Sequence, residues 1–299
     1  MKPFLESLGE RVLLFDGGMG SMLIAAGLGE GEAPDVWNIT RPDVLMGVHK
    51  AFLDAGADVI QTNTFGATPV KLAASSRGAP PDAAKVNEAG ATLARTAIRE
   101  FGFGDRWLAG DIGPTGEFFP PMGVLTEARA FEAFRIQAEA LENGVVDIFL
   151  IETMYDIREA VAAVRAVREV SVKPVVCELT MERKKRGYFT IVGDTPARAA
   201  EELPAAGADM IGANCSMASA EMIDLASEMR ALTKTPLLFQ PNAGRPEMVS
   251  GKAVYRQTPE EFAAEVMKIV EAGAEAVGGC CGTTPEFIRA LRAKLDAWR

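Results

Sequence analysis

Four segments of the chain are near copies of one another: DAGADVIQTN (54–63), ENGVVDIFLIE (142–152), AAGADMIGANC (205–215) and EAGAEAVGGCC (271–281). Each closes a helical pattern on a glycine suited to a left-handed helix cap. Each then runs through a short apolar strand that ends in polar or sulfur-bearing residues. A second set of strand-like runs alternates with the first: VLLFDGG (12–18), WLAGDIG (107–113), KPVVCEL (173–179) and TPLLFQPN (235–242). Interleaved, the two sets make eight strands. Amphipathic patterns fill the gaps, as in residues 127–144, 156–170 and 260–273, with apolar positions three and four apart as a sheet-covering helix requires. Strand–helix alternation repeated eight times predicts an α/β fold of one kind, the (β/α)8 TIM barrel. Such a barrel takes about 250 residues. A chain of 299 residues then has room for extended βα loops and little for a second domain, so residues 1–299 are expected to form a single barrel domain.

The net charge of −10 argues against nucleic acid, which wants clustered positive charge. The one basic cluster, Arg183-Lys184-Lys185-Arg186, reads as a solvated loop. No N-terminal apolar core suggests secretion. The longest apolar run, around residues 145–151, is interrupted by Asp147 and too short to span a bilayer. The expectation is a soluble cytoplasmic protein with no membrane association, its thiols free or metal-bound.

In a (β/α)8 barrel the C-terminal strand ends form the functional face. Here they carry Asp16, Gln61-Thr62-Asn63, Asp111, Glu152, Glu178, Asn214-Cys215, Gln240 with Asn242, and Cys280-Cys281. Cys215 ends the sixth strand and Cys280-Cys281 the eighth, so closure brings three sulfurs to one rim. Adjacent cysteines make poor disulfide partners. Zinc takes thiolates in tetrahedral geometry, and a catalytic site keeps one position open. The flanking glycines would let backbone and metal approach closely. Buried, inert cysteine is the alternative, since free cysteine is often a core residue. Cys177, inside the fifth strand, reads as such a core residue. His49, the only histidine, lies in a helical pattern and reads as structural.

The motifs FDGGMG, QTNTFGAT, GDIGPTGE, IET, GANCS, QPNAG and GGCCGTTPE, in order from residue 15 to 286, resemble the homocysteine-binding barrel of cobalamin-dependent methionine synthase. The resemblance covers nearly the whole chain. It implies a zinc-dependent homocysteine S-methyltransferase that forms methionine. Carried over residue by residue, Cys215, Cys280 and Cys281 hold the zinc, and Asn242 is a labile ligand before substrate binds. Asp16, Gly17, Gly18 and Thr62 line the pocket for the amino-acid end of homocysteine, and Glu152 holds its ammonium.

Methyl transfer to sulfur needs a thiolate, and a free thiol with a pKa near 8.5 is only a few per cent ionised at neutral pH. A coordinating thiol is deprotonated outright, a gain of roughly thirtyfold or about 2 kcal/mol. The resemblance points to a methylcorrinoid such as methylcobalamin as donor, but the chain carries no cobalamin signature and no second barrel. The corrinoid would arrive on a separate protein or domain. Gly66 stands where betaine-using relatives carry tyrosine, which disfavours betaine. S-methylmethionine is the alternative donor, and a non-catalytic homocysteine- and zinc-binding module of a larger enzyme is the alternative role. The apolar loop GEFFPPMG (116–123) either covers the site or meets the donor's carrier, or else packs on a neighbouring loop.

Overall fold

The computed structural model describes residues 2–76, 78–249 and 252–298. Eight parallel strands form one sheet: β1 (Leu13–Leu14), β2 (Val59–Gln61), β3 (Trp107–Ile112), β4 (Ile148–Met154), β5 (Val175–Leu179), β6 (Met210–Ala218), β7 (Leu237–Asn242) and β8 (Ala276–Val277). From β2 onward each strand pairs with the next, and β8 returns to β1 with Leu13 opposite Ala276. A parallel bridge between Phe15 and Val59 joins β1 to β2 and closes the (β/α)8 barrel. Helices follow the strands and cover the outside.

Side chains two apart on a strand share a face, and the inward columns change character along the barrel. At the N-terminal end they are apolar: Leu13 and Phe15, Val59, Trp107 and Ala109, Ile148 and Leu150, Val176, Met210, Leu238 and Ala276 form one buried cluster. One step further along the same columns stand Gln61, Asp111, Glu152, Glu178 and Gln240, and on β6, beyond Gly212, Asn214. The short helix Phe4–Leu8 plugs the apolar end, with the Phe4 ring edge-on to Phe15 at 6.3 Å and to Trp107 at 6.0 Å. Burying such a phenylalanine contributes about 1.5–3 kcal/mol. The barrel interior is therefore a solid support, with the polar residues of its inward columns at the C-terminal mouth.

The βα loops deliver the chain into helices through defined caps. Thr126, Asp156 and Thr258 each accept a backbone N–H at a helix start, which satisfies groups the helix cannot. Of the four repeated glycines, Gly56, Gly207 and Gly273 have the left-handed φ expected of them, at 98°, 118° and 108°. Gly144 does not, with φ −73°; Val145 takes the left-handed position instead at 63°. Gly144 is needed for another reason: a Cβ there would sit 2.4 Å from the Cβ of Ala91 on the neighbouring helix. Arg95 donates to the Val145 carbonyl at 2.6 Å and holds the unusual turn.

Two βα loops carry antiparallel hairpins that the sequence pattern does not announce. The basic cluster sits on one, Glu182–Lys184 paired with Gly187–Phe189, and is exposed as expected. The other pairs Glu247–Val249 with Lys252–Val254. Cys177 is buried in the layer between strands and helices, and burial pushes its thiol pKa up. The loop 116–123 divides: Phe119 is buried beneath Arg158, whose guanidinium lies 4.7 Å from the ring centre, while Met122 is exposed. Among the described residues no helix is long and apolar enough to cross a membrane.

Candidate active site

The sulfurs of Cys215, Cys280 and Cys281 all lie within 4.8 Å of one another at the barrel mouth. Cys215 Sγ is 3.9 Å from Cys281 Sγ, and Cys280 Sγ is 3.9 Å from Cys281 Sγ. No disulfide has that length, since bonded sulfurs sit at about 2.05 Å. Tetrahedral zinc with sulfur at about 2.3 Å separates its sulfurs by roughly 3.8 Å. The spacing thus fits a zinc ion held by three thiolates. Among the described residues this is the one such group of metal-binding side chains.

The loops that present the sulfurs are tied down closely. The Cys280 amide donates to the Pro241 carbonyl at 2.9 Å, and the Cys281 carbonyl accepts from the Ala243 amide at 2.9 Å. Asn242 Oδ1 accepts from the Cys281 amide at 3.1 Å, so its side chain already positions one of the three cysteines. Thr283, fully buried, donates its hydroxyl to the Cys280 carbonyl at 2.6 Å and accepts from the Gly18 amide at 3.0 Å. This stitch makes the glycines necessary: a Cβ on Gly18 would meet the Cys280 carbonyl oxygen at 2.5 Å, and one on Gly279 the Thr283 hydroxyl at 2.4 Å. The turn at Gly17-Gly18 is thereby fixed against the cysteine loop.

Glu152 leaves β4 beside the sulfurs. Asn214 Nδ2 donates to its Oε2 and, at 2.8 Å, to Thr153 Oγ1. Asn214 Oδ1 accepts from the Thr153 amide at 2.8 Å. Asp16 accepts at both oxygens from Gln61, from its amide at 3.0 Å and from Nε2 at 2.9 Å. Thr62 follows Gln61 at the end of β2, its hydroxyl paired with Thr64 and accepting from the Asp111 amide at 2.9 Å. The Asp16 and Thr62 side chains therefore brace the first three strand ends, while Glu152 stands with the sulfurs.

One contributor, Tyr255, escapes a reading of the sequence, and a strand-end residue that the sequence does show, Glu178, takes an unusual setting. Tyr255 follows the second hairpin and lies beside the Cys281–Gly282 turn, where it helps to lower the Cys281 thiol pKa. Its ring packs on Gly282, where a Cβ would meet it at 2.3 Å. Glu178 is fully buried with neither carboxyl oxygen hydrogen-bonded.

The electrostatics are one-sided. Burial pushes Asp16 up to about 8 and Glu152 up to about 7, the latter aided by the Cys215 sulfur. Asp111 and Glu178 are raised well above the usual carboxylate range by burial and by Glu152. The charges bearing most strongly on these four groups are other carboxylates and a thiol, not lysine or arginine. Within the sulfur cluster Cys281 is held far below an ordinary thiol, because Cys215 and Cys280 bond to it, with help from Tyr255. A mouth lined by acceptors and thiols, with no lysine or arginine among the strongest influences on them, suits a positively charged occupant.

Strain is concentrated here as well. Thr153, Cys215 and Ser216 have left-handed φ of 57°, 58° and 56°. Such residues cost about 1–3 kcal/mol each and persist where the surroundings hold them. Thr153 flanks Glu152, and Cys215 is itself one of the sulfur donors.

His49 stands apart from this chemistry. It is fully buried in the helix Pro42–Asp54, and neither ring nitrogen has a hydrogen-bond partner. Burial lowers its pKa to about 4. An unfolded chain titrates this ring near 6.5, so below that pH it takes up a proton that the folded chain refuses. The stability of the native state linked to His49 therefore falls as pH drops from about 6.5 to 4. The mouth carboxyls, with raised pKa values, act in the opposite sense, so the effect is best seen as a difference between two proteins. Relative to a His49→Leu variant, the wild type is expected to lose on the order of 3 kcal/mol over that interval. Urea unfolding at a series of pH values measures it, and parallel curves for the two proteins would refute a buried neutral ring.

The barrel with a trithiol cluster at its C-terminal mouth defines a class of site-bearing (β/α)8 proteins, and sequence comparison specifies the family. The homocysteine S-methyltransferase family profile matches residues 13–295, and the chain belongs to that family. It is 33% identical over 305 residues to methionine synthase of Mycobacterium tuberculosis, covering 97% of this chain and 25% of that protein. Methionine synthase of Mycobacterium leprae gives 33% over 308 residues, with the same coverage. The chain thus spans about a quarter of the length of these relatives. Among solved structures, the metallated form of the homocysteine methyltransferase MmuM from Escherichia coli superposes with a TM-score of 0.83 at 23% identity, covering 98% of this chain and 100% of that one. At that identity the likeness speaks for the fold.

Proposed function

We propose that this barrel, as a single domain, is a zinc-dependent homocysteine S-methyltransferase that forms methionine. The observation that carries the reading is the set of three sulfurs within 4.8 Å of one another, two of the pairs at 3.9 Å, beside a carboxylate, Glu152, that lacks a cationic partner. Cys215, Cys280 and Cys281 would hold zinc, with Asn242 next to them as the candidate labile ligand. Zinc bound there would supply Lewis acidity that keeps an incoming thiol ionised at neutral pH.

The chain's own groups bind and orient the substrate. Glu152 takes the ammonium of homocysteine, and the Asp16–Gly18 turn borders the amino-acid end together with Thr62. Thr283 and the glycines around it fix that turn relative to the cysteines, so the length of homocysteine is measured between two rigid points. Such positioning of a nucleophile is worth up to roughly 7–11 kcal/mol in favourable cases. In the transfer, a bond forms between the homocysteine sulfur and the methyl carbon. The bond from methyl to donor breaks, and its electron pair leaves with the donor. The thiol proton is released to solvent.

The donor we propose is a methylcorrinoid carried by a separate protein or domain, as methionine synthases are among the relatives. Free methylcobalamin should then support slow methionine formation and a corrinoid-carrying partner faster formation, because a docked carrier supplies orientation that free cofactor lacks. The test compares methylcobalamin, S-methylmethionine and betaine side by side. Preference for S-methylmethionine would replace the corrinoid donor. Homocysteine and zinc binding without turnover from any donor, with or without a corrinoid protein, would identify a binding module.

A further inference from the structure

Asn214 touches both halves of the proposed site with one side chain. Its Nδ2 donates to Glu152 Oε2 and lies 3.9 Å from Cys280 Sγ, while its Oδ1 accepts from the Thr153 amide at 2.8 Å. The side chain is fully buried, so these contacts are not shared with bulk water. The orientation of the amide is fixed by its partners: the oxygen must face the Thr153 N–H, which leaves the two hydrogens of the nitrogen to be shared among Glu152, the Thr153 hydroxyl at 2.8 Å and the Cys280 sulfur at 3.9 Å. The residue also stands at the centre of the strain. Thr153, on one side of its reach, and Cys215 and Ser216, which follow it in the chain, are three of the four non-glycine residues with left-handed φ among the described residues. At the same point the pairing of β6 with β7 is interrupted, between Asn214 and Ala218.

From this we infer that Asn214 is a positioning residue that couples the ammonium-binding carboxylate to the metal-binding sulfurs. The inference rests on the proposed homocysteine and zinc sites and deepens them. The Nδ2 donor does two things at once. It turns one oxygen of Glu152 so that the other faces the pocket, and it places an N–H against a cysteine sulfur, drawing charge from that ligand. Occupation of either half is thereby felt by the other. Outer groups that orient metal ligands in this way commonly alter affinity or activity about 10–100-fold when lost.

Asn214→Asp separates this role from simple backbone support. The aspartate keeps an oxygen for the Thr153 amide but, as the carboxylate, loses the donor to Glu152 and Cys280. Asn214→Ala loses both. The probes are cobalt(II) in place of zinc, read by its visible absorption, and L-homocysteine, read by calorimetry. Asn214→Asp is expected to keep about one metal per chain, to shift the sulfur-to-cobalt bands before any homocysteine is added, and to bind homocysteine about 10–100-fold more weakly. In a Glu152→Gln background the same change should weaken binding far less, because the negative charge that Asn214 orients toward the ammonium is already gone. Wild-type spectrum and wild-type homocysteine affinity in Asn214→Asp, with only Asn214→Ala impaired, would overturn the inference and leave Asn214 a backbone support. A wild-type chain that takes up neither cobalt nor homocysteine would overturn the functional reading, and this inference with it.

Discussion

Cys280→Ser is expected to lose most of the bound zinc and, with it, homocysteine methylation, while the barrel stays folded. The backbone of Cys280 is held by bonds that the substitution does not touch: its amide to the Pro241 carbonyl, and its carbonyl to the Thr283 hydroxyl and amide. The apolar cluster inside the barrel lies at the other end of the strands. What changes is one of three sulfurs gathered within 4.8 Å, its distance of 3.9 Å from Cys281 matching that across a tetrahedral zinc ion. A hydroxyl is a far weaker zinc ligand than a thiolate, because it does not ionise at neutral pH. Losing a direct ligand should exceed the roughly 10–100-fold penalty typical of outer groups. Elemental analysis after dialysis, paired with thermal unfolding by circular dichroism, checks both halves of the expectation. Full zinc retention would remove Cys280 from the metal site.

Glu152→Gln is expected to weaken homocysteine binding by about 2–5 kcal/mol while leaving zinc in place. A substrate ammonium entering a mouth partly closed to water needs a charge partner, and removing one member of such a pair costs about that much. Glu152 is the carboxylate that stands with the sulfurs, whereas Asp16 is bonded at both oxygens to Gln61. The glutamine preserves size and can still accept from Asn214. Calorimetric titration of homocysteine into zinc-loaded protein measures the change. An effect confined to methyl-donor kinetics, with homocysteine affinity unaltered, would place Glu152 outside the substrate pocket.

The barrel was legible because its period is written into the chain. Repeated glycine-to-strand segments require a repeated turn, and alternating helices require a sheet to cover. The three cysteines were legible because they fall at strand ends, which barrel closure gathers. Local chemistry within the loops was less so. Tyr255 reaches Cys281 from a hairpin inserted between β7 and its helix; the alternation in EMVSGKAVY was the available signal, but nothing in it says where the hairpin folds back. Asn214 was visible as a strand-end polar residue, yet its bridge between Glu152 and Cys280 depends on the register of β4, β6 and β8 together. Gly144 shows the opposite case, a glycine whose motif suggested a left-handed cap but whose use is close helix packing.

The most direct test of the whole account is X-ray absorption at the zinc edge, recorded on zinc-loaded protein with and without homocysteine. Three sulfurs at about 2.3 Å should surround the metal in the free protein, and a fourth should appear when homocysteine is added. A zinc shell without sulfur, or one whose sulfur count does not change on saturation with homocysteine, would contradict the proposal that this mouth binds the metal and the substrate thiol together.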